Sequence, residues 1–313
     1  MSKTVSYTEL ANAASEHDQK VRLSIAIPFY NDDPGDLVRA LNPLIGADKS
    51  IEILLFDDCS SQTHLNALTG RTIRALTAPA RLISARENVG RAHGRNILAR
   101  EARGEWILYL DADMAPTDDA FLATYLEAME TSGLDAIFGG YITRTQHADQ
   151  NLALHAALAS ASDHCDAAAR EKVGATAFCS SNLLARRELM LDVPFDTGFV
   201  GWGWEDVDWA VAASRQHKLG HIDNPAQHDG LQPVEVLLDK FRAGATNYAR
   251  MLEKHPDLRN LPGAKAARAI RRVPFSRSLR PVWANLARNH QAPMRLRTLG
   301  LKLWRASWTA EVI

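Results

Sequence analysis

Between Arg22 and Ile142 five short apolar runs alternate with helical patterns. The runs are Arg22–Phe29 (RLSIAIPF), Ile51–Phe56 (IEILLF), Arg81–Ala85, Trp106–Leu110 (WILYL) and Asp135–Ile142. The WILYL run carries no charge, so it reads as a strand buried on both faces. Helices are expected from Pro34 to about Ile45, over about 62–76, from Arg91 to about Ala102, and from Thr117 or Asp118 to near Gly133. Strand and helix thus alternate four times in about 130 residues, which specifies an α/β fold built on a doubly wound, mostly parallel sheet. Ligands bind such sheets beyond the carboxyl ends of the strands. Asn31-Asp32, Asp57-Asp58 and the pair Asp111 and Asp113 all fall just after expected strands.

Beyond residue 143 the pattern loosens. Gln146–Lys172 is rich in Ala and His and reads as helix or loop. Ala177–Ala185 reads as a strand, Phe195–Trp204 (FDTGFVGWGW) as a Gly- and aromatic-rich loop, and Glu205–Lys218 and 231–255 as helices. Residues 1–20 look like a loose or helical lead-in.

The net charge of −1 hides an asymmetry. Ala264–Ile313 holds eleven Lys/Arg against one acid, Glu311, so it carries about +10 and the rest of the chain about −11. Trp283, Trp304 and Trp308 are interspersed there, with Leu296, Leu299 and Leu303 at helical spacing. Basic residues and Trp on an amphipathic helix suit an anionic bilayer surface. The alternative is packing on the acidic body or on another subunit, which would make an oligomer. No RNA- or DNA-binding motif is present, so nucleic acid is not an expected partner. Cys59, Cys165 and Cys179 match neither a zinc spacing nor a disulfide framework. Met1–Lys20 lacks the apolar segment of a signal peptide, and no apolar run reaches the roughly 18 residues of a membrane span. The expected location is cytoplasmic, peripheral on the inner face of the membrane if the tail binds lipid.

Several polar residues invite chemistry. Asp111 and Asp113 either cap a strand as turn residues or supply carboxylates to a hard cation such as Mg2+ or Mn2+. Asp57 and Asp58 suit an Asx-turn, or accept hydrogen bonds from a nucleoside. Arg91 and Arg95 follow Gly90 at a helix start, where free N–H groups and a cation suit a diphosphate; solvated helix arginines are the alternative. Glu205, Asp206 and Asp208 open a helix and favour its dipole. The loop before them also places Glu205 and Asp206 at a rim where a general base could reach a hydroxyl. Trp202 and Trp204 either stack on a sugar or plug the core.

The segments SIAIPFYND (24–32), ILLFDDCSS (53–61), ENVGRAHGRN (87–96), LDAD (110–113) and GWGWEDVD (201–208) occur in an order that resembles GT-A fold glycosyltransferases of family 2. The later part is similar to the galactosyltransferase and chondroitin-synthase type, with a Trp-Gly-x-Glu-Asp motif. The resemblance covers roughly 22–230. It implies a GT-A domain over 21–230, with a nucleotide-binding half at 21–143 and an acceptor half at 144–230. A lead-in, 1–20, precedes that domain and a helical basic extension, 231–313, follows it.

The resemblance also implies roles. Asp113 binds a divalent metal and Asp111 the donor ribose or the metal. His228, at a family-like distance from Asp206, completes the metal site; His221 is the competitor but falls in an expected strand. Asp57 and Asp58 serve the nucleoside, most often uridine. Pro28, Phe29, Tyr30 and Asn31 form a base-binding wall, and Gly90 and Arg91 face the diphosphate. Asp206 is the base, while Glu205, Trp202, Trp204 and Asn182 bind the acceptor. The implied activity is inverting, metal-dependent transfer from a nucleotide-diphospho-sugar, commonly a UDP-sugar, to a hydroxyl of a glycan or lipid-linked acceptor. A sugar nucleotidyltransferase and a non-catalytic scaffold are the alternatives.

Overall fold

A computed structural model describes residues 5–143, 149–162 and 165–313. Residues 146–148 and 163–164 of the Ala- and His-rich stretch therefore lie outside the described residues. The first half alternates as the sequence predicts. Strand β1 is Tyr7–Ala11 and β2 is Leu23–Phe29; α1 is Gly35–Ile45; β3 is Ile51–Asp57; α2 is Thr63–Arg74; β4 is Ala80–Ala85; α3 is Arg91–Glu101; β5 is Trp106–Leu110. The lead-in differs from expectation. Tyr7–Ala11 is an edge strand that pairs antiparallel with β4, and Asn12 anchors its end through bonds to the carbonyls of Ile73 and Ala78.

The chain continues through β6 (Met114–Pro116), α4 (Phe121–Thr131), β7 (Ala136–Phe138), β8 (Tyr141–Thr143), α5 (Ala153–Ser162) and α6 (Ala167–Val173). Then follow β9 (Asn182–Arg186), α7 (Arg187–Asp192), α8 (Glu205–Ala213), β10 (Leu219–His221) and β11 (Ala226–His228). The main sheet has the order β1-β4-β3-β2-β5-β9-β7-β10. Strands β4, β3, β2 and β5 are parallel, and β9 inserts antiparallel between β5 and β7. Successive strand side chains point to opposite faces. Leu23, Ile25 and Ile27 accordingly join one core with Leu37, Leu41 and Phe121, while Ala26 joins another with Ile97, Leu98 and Trp209.

The single strand expected over Asp135–Ile142 is broken in two. Gly140 takes a positive φ of 82°, and the chain leaves the main sheet after β7 to enter a small second sheet, β6-β11-β8. That sheet matters for the site. Its antiparallel β6–β11 register sets His228 opposite Met114, directly beside Asp113.

The last part is helical: α9 (Val234–Lys254), α10 (Pro262–Arg271), α11 (Arg280–Arg288) and α12 (Met294–Val312). These helices have a core of their own, in which Val234, Leu237 and Leu238 meet Ala284, Ala287 and Leu301. Two of the tail's tryptophans are engaged within the protein. Trp304 Nε1 donates to the Leu238 carbonyl at 2.9 Å, and the Arg280 guanidinium covers Trp308 at 3.6 Å. Among the described residues no helix is long and apolar enough to cross a membrane.

Candidate active site

Two cavities meet beyond the carboxyl ends of β2, β3 and β5. The first, about 550 Å3, is lined by Pro28, Phe29, Tyr30, Asp58, Gly90 and Thr197 among others. The second, about 490 Å3, lies toward the helical tail and is lined by Trp204, Glu205, Asp206, His228, Lys240 and Arg305 among others. Arg91, Asp111, Asp113 and Trp202 border both, so the two acids after β5 stand at the junction.

On the first cavity's wall, Tyr30 is 49% exposed, an aromatic face open to a ligand. Asp58 accepts from the backbone N–H groups of Val89 and Gly90 at 2.7 and 2.9 Å. Those bonds fix the loop that starts α3, whose first residue, Arg91, projects toward both cavities. Burial pushes the Asp58 carboxyl above its ordinary value, against the pull of the two N–H groups. Asp32 also lines this cavity, and burial and then the nearby Asp113 raise its carboxyl. Asp57 and Asn31 are employed elsewhere. Asp57 accepts from Ser60 N–H and the Asn66 amide, and Asn31 accepts from Ser61 and the Gln62 N–H. Neither lines either of these two cavities.

At the junction, His228 Nε2 lies 3.2 Å from Asp113 Oδ2. Burial opposes the Asp113 charge, but the His228 bond and charge outweigh it and hold that carboxyl below its ordinary value. A side chain at Gly230 would put its Cβ 1.9 Å from Asp113 Oδ2, so only glycine leaves the carboxylate room. Asp111 instead accepts from Arg95 Nη2 at 2.8 Å. Among the described residues no three His, Cys, Asp or Glu side chains converge on one point. Mg2+ and related cations are commonly held by one or two carboxylates plus substrate phosphates, so the Asp113–His228 pair could supply only part of such a set, with a bound diphosphate needed to complete it.

Arg95 is 2% exposed. Besides Asp111 it meets Glu205, with Nη1 3.5 Å from Oε1. Burial opposes its charge, yet Asp111, Asp206 and Glu205 together raise its proton affinity. Glu205 is equally buried, and burial followed by the charge of Asp206 pushes its carboxyl up to about 7. Its Oε2 has no hydrogen-bond partner among the described residues. Asp206 is more open to the cavity: Ser180 Oγ donates to Oδ1 at 2.7 Å, and Cys179 Sγ lies 3.4 Å from Oδ2. The third acid, Asp208, points away and clamps α8 to the end of α9 through His255 (2.8 Å) and Lys254 (2.7 Å).

The Gly-rich loop before these acids has a backbone reason. Gly201, Gly203 and Trp204 all adopt positive φ, at 78°, 92° and 78°. The two glycines take it freely; Trp204 is strained there. Its ring is stacked on Tyr248 at 4.3 Å, a contact that holds the loop against α9. Trp202 borders both cavities and rests near Phe241 and Lys240.

The sequence profile described as "Glycosyl transferase family 2" matches residues 24–193, more than half of the chain. The chain belongs to that family. An uncharacterized glycosyltransferase of Haemophilus influenzae is 32% identical over 92 residues, a match that spans 29% of this chain and 29% of the relative. Solved structures extend the likeness at the level of fold. The mannosyltransferase PcManGT of Pyrobaculum calidifontis, in complex with GDP-Man and Mn2+, superposes with a TM-score of 0.55 at 18% identity, over 94% of this chain and 88% of that one. TarS 1–349 of S. aureus in complex with UDP-GlcNAc gives 0.51 at 13%, over 91% and 90%. Glucosyl-3-phosphoglycerate synthase of Mycobacterium tuberculosis, with Mn2+, UDP and glucosyl-3-phosphoglycerate, gives 0.51 at 17%, over 78% and 82%. The fold is therefore GT-A with a helical C-terminal part.

Within this family 2 chain, Pro28, Tyr30, Asp58, Gly90, Arg91, Asp111 and Asp113 share the first cavity. Trp202, Trp204, Glu205, Asp206 and His228 share the second. Asn182 joins neither. It is fully buried, accepts from the Tyr125 hydroxyl and donates to the carbonyls of Gly140 and Asn224, which pins the break between β7 and β8. Sequence reasoning missed Ser180, His155, Lys240, Lys302 and Arg305 as cavity or acid-binding residues. The last two lay in a stretch read either as a lipid-facing surface or as an extension packed on the acidic body or another subunit.

Proposed function

We propose that the protein is a metal-dependent, inverting glycosyltransferase acting from a nucleotide-diphospho-sugar, a UDP-sugar in the first instance, on a hydroxyl of a glycan or lipid-linked acceptor. The observation that carries this is the meeting of two cavities at Asp111 and Asp113, with Asp206 lining the second. The nucleoside is assigned to the Tyr30–Asp58 cavity, with Tyr30 against the base. The N-terminus of α3 and Arg91 face the diphosphate, where backbone N–H groups and a cation favour an anion. Asp113 and His228 would hold the divalent cation, with Asp111 turned to the ribose. Bound there, the cation would supply Lewis-acid stabilisation of the departing diphosphate.

Asp206 is the group for the acceptor. It takes the hydroxyl proton as the acceptor oxygen bonds to the anomeric carbon and the bond from that carbon to the β-phosphate oxygen breaks. Attack opposite the leaving group inverts the anomeric centre. Glu205 is too buried to meet a hydroxyl; its role is to balance Arg95. Two similar structures carry uridine ligands and one carries GDP-Man. A donor panel of UDP- and GDP-sugars, assayed for nucleoside diphosphate release with Mn2+ or EDTA, is the test. Release from at least one donor and its loss in EDTA are expected. No release from any donor would favour the scaffold reading, and release that survives EDTA would remove the metal.

Membrane association is a separate part of the proposal, and it rests on a small patch. Val273, Phe275, Leu279 and Val282 are exposed beside Arg271, Arg272 and Arg277. Apolar and basic groups on one surface suit an anionic bilayer. Co-sedimentation with phosphatidylserine vesicles, lost on Phe275→Ser, is expected; equal binding by both proteins would remove this part.

A further inference from the structure

The basic tail does two kinds of work. Six of its eleven cations are engaged: Arg277 and Arg280 pair with Glu311, Arg288 pairs with Glu235, and the Arg268, Arg271 and Arg297 guanidinium groups donate to backbone carbonyls. Lys302 and Arg305 differ. Both lie on α12 and line the Asp206 cavity, and neither has a carboxylate partner among the described residues. Arg305 lies over the rings of Trp204 and Phe241, 5.0 and 5.2 Å from their centres, and no ion pair engages its guanidinium among the described residues. A partly buried cation without a counter-charge is costly, and a fold that needed it only for packing would use an apolar side chain. The same two residues also line a further cavity of about 470 Å3, between Thr176, Leu261 and Thr309, so they stand where one space continues into the next.

The donor diphosphate does not account for them. Lys302 and Arg305 do not border the Tyr30 cavity, whereas Arg91 borders both cavities. Lys240 is the other cation near the junction, since Asp113 and Asp111 act on its charge. For Arg305 burial lowers the proton affinity, and the influence opposing it comes from the Tyr248 phenol and not from a carboxylate.

We infer that Lys302 and Arg305 form a subsite for an oxyanion, a phosphate or carboxylate, carried by the acceptor. A guanidinium fork and an ammonium converge on the oxygens, the arrangement that gives charge-assisted hydrogen bonds their strength. The inference rests on the glycosyltransferase reading, because it treats the Asp206 cavity as the acceptor's.

The test is calorimetric titration of the full chain, alone and saturated with UDP and Mg2+. The probes are glucose 6-phosphate, glucuronate and neutral methyl glucoside. Wild type should bind at least one charged probe about tenfold more tightly than the neutral one, the size of one charge-assisted hydrogen bond. The probe preferred tells phosphate from carboxylate. Lys302→Gln and Arg305→Gln should each erase most of that preference while UDP affinity is unchanged. Lys302 is exposed, so its variant keeps the fold even if the Arg305 change does not. Equal binding of charged and neutral probes, or a preference that survives both substitutions, overturns the subsite. Failure to bind UDP would instead strike the donor assignment, and the titrations without UDP would still report on Lys302 and Arg305.

Discussion

Arg95 donates to Asp111 at 2.8 Å from almost complete burial. The same guanidinium faces Glu205 at 3.5 Å, so the acid after β5 and the acid opening α8 share one charge. Removing one member of a buried ionic cluster leaves the others uncompensated, at a cost of about 3–5 kcal/mol. Arg95→Met is therefore expected to lower the unfolding free energy by that order in urea denaturation. A loss below about 1 kcal/mol, the value of an exposed pair, would show that the cluster is not a structural unit.

The Asp113–His228 pair predicts a metal phenotype. Asp113→Asn and His228→Ala should each weaken Mn2+ binding to the UDP-bound protein by about tenfold or more, judging from the effect of perturbing shells around bound metals. Isothermal titration with Mn2+ measures this. Unchanged Mn2+ affinity in both variants would remove the assignment.

Asp206→Asn keeps the shape of the side chain and the Ser180 bond but removes the base. Transfer should fall about 10²–10⁴-fold, the usual share of general acid–base catalysis, with UDP affinity retained. Near wild-type transfer would shift the base elsewhere.

Asp208 is predicted to matter for folding and not for ligands. Asp208→Ala leaves the buried His255 without its carboxylate at the α8–α9 junction, while Lys254 keeps Asp196. A loss of about 3 kcal/mol is expected for breaking such a buried pair, with UDP binding intact. A drop in UDP affinity without a drop in stability would contradict the clamp.

His221 carries a pH prediction. It packs against Phe178 with ring centres 4.5 Å apart, and burial followed by the Arg170 charge lowers its proton affinity to about 4. The unfolded chain protonates near the ordinary value of about 6.5, so the unfolded state takes up the proton first as pH falls. The stability that neutral His221 contributes is present above about 6.5 and is lost on acidification toward 4. Melting temperature should decline over that window, and less steeply in His221→Phe. Parallel declines would show that His221 is not a source of acid sensitivity.

The sequence carried the parallel half of the fold because period and polarity agree there. WILYL, its flanking Gly104 and the acids beyond it could hardly be arranged otherwise. It did not disclose β1, whose YTELA alternates weakly and becomes a strand by pairing with β4. Nor did it disclose the break at Gly139-Gly140, which depends on Asn182 reaching across from β9. The site divides in the same way. Acids that follow strands are readable, since the strand fixes where they emerge. Arg95 is not, because a helix arginine looks solvated until the packing of Phe195 and Tyr109 around it is known. Lys302 and Arg305 escape for a stronger reason: their partner cavity is built nearly a hundred residues earlier in the chain, around Trp204 to Asp206.

The helices that wall the second cavity rest on their own apolar cluster, apart from both faces of the main sheet. Substitutions along α12 can thus alter what approaches Asp206 while the Asp113–His228 pair and the Tyr30 wall stay in place. Selection acting on such a molecule can retarget what is modified without having to solve again how the sugar is released. The separation of cores is, in that sense, an evolutionary hinge between a fixed donor chemistry and a changeable recipient.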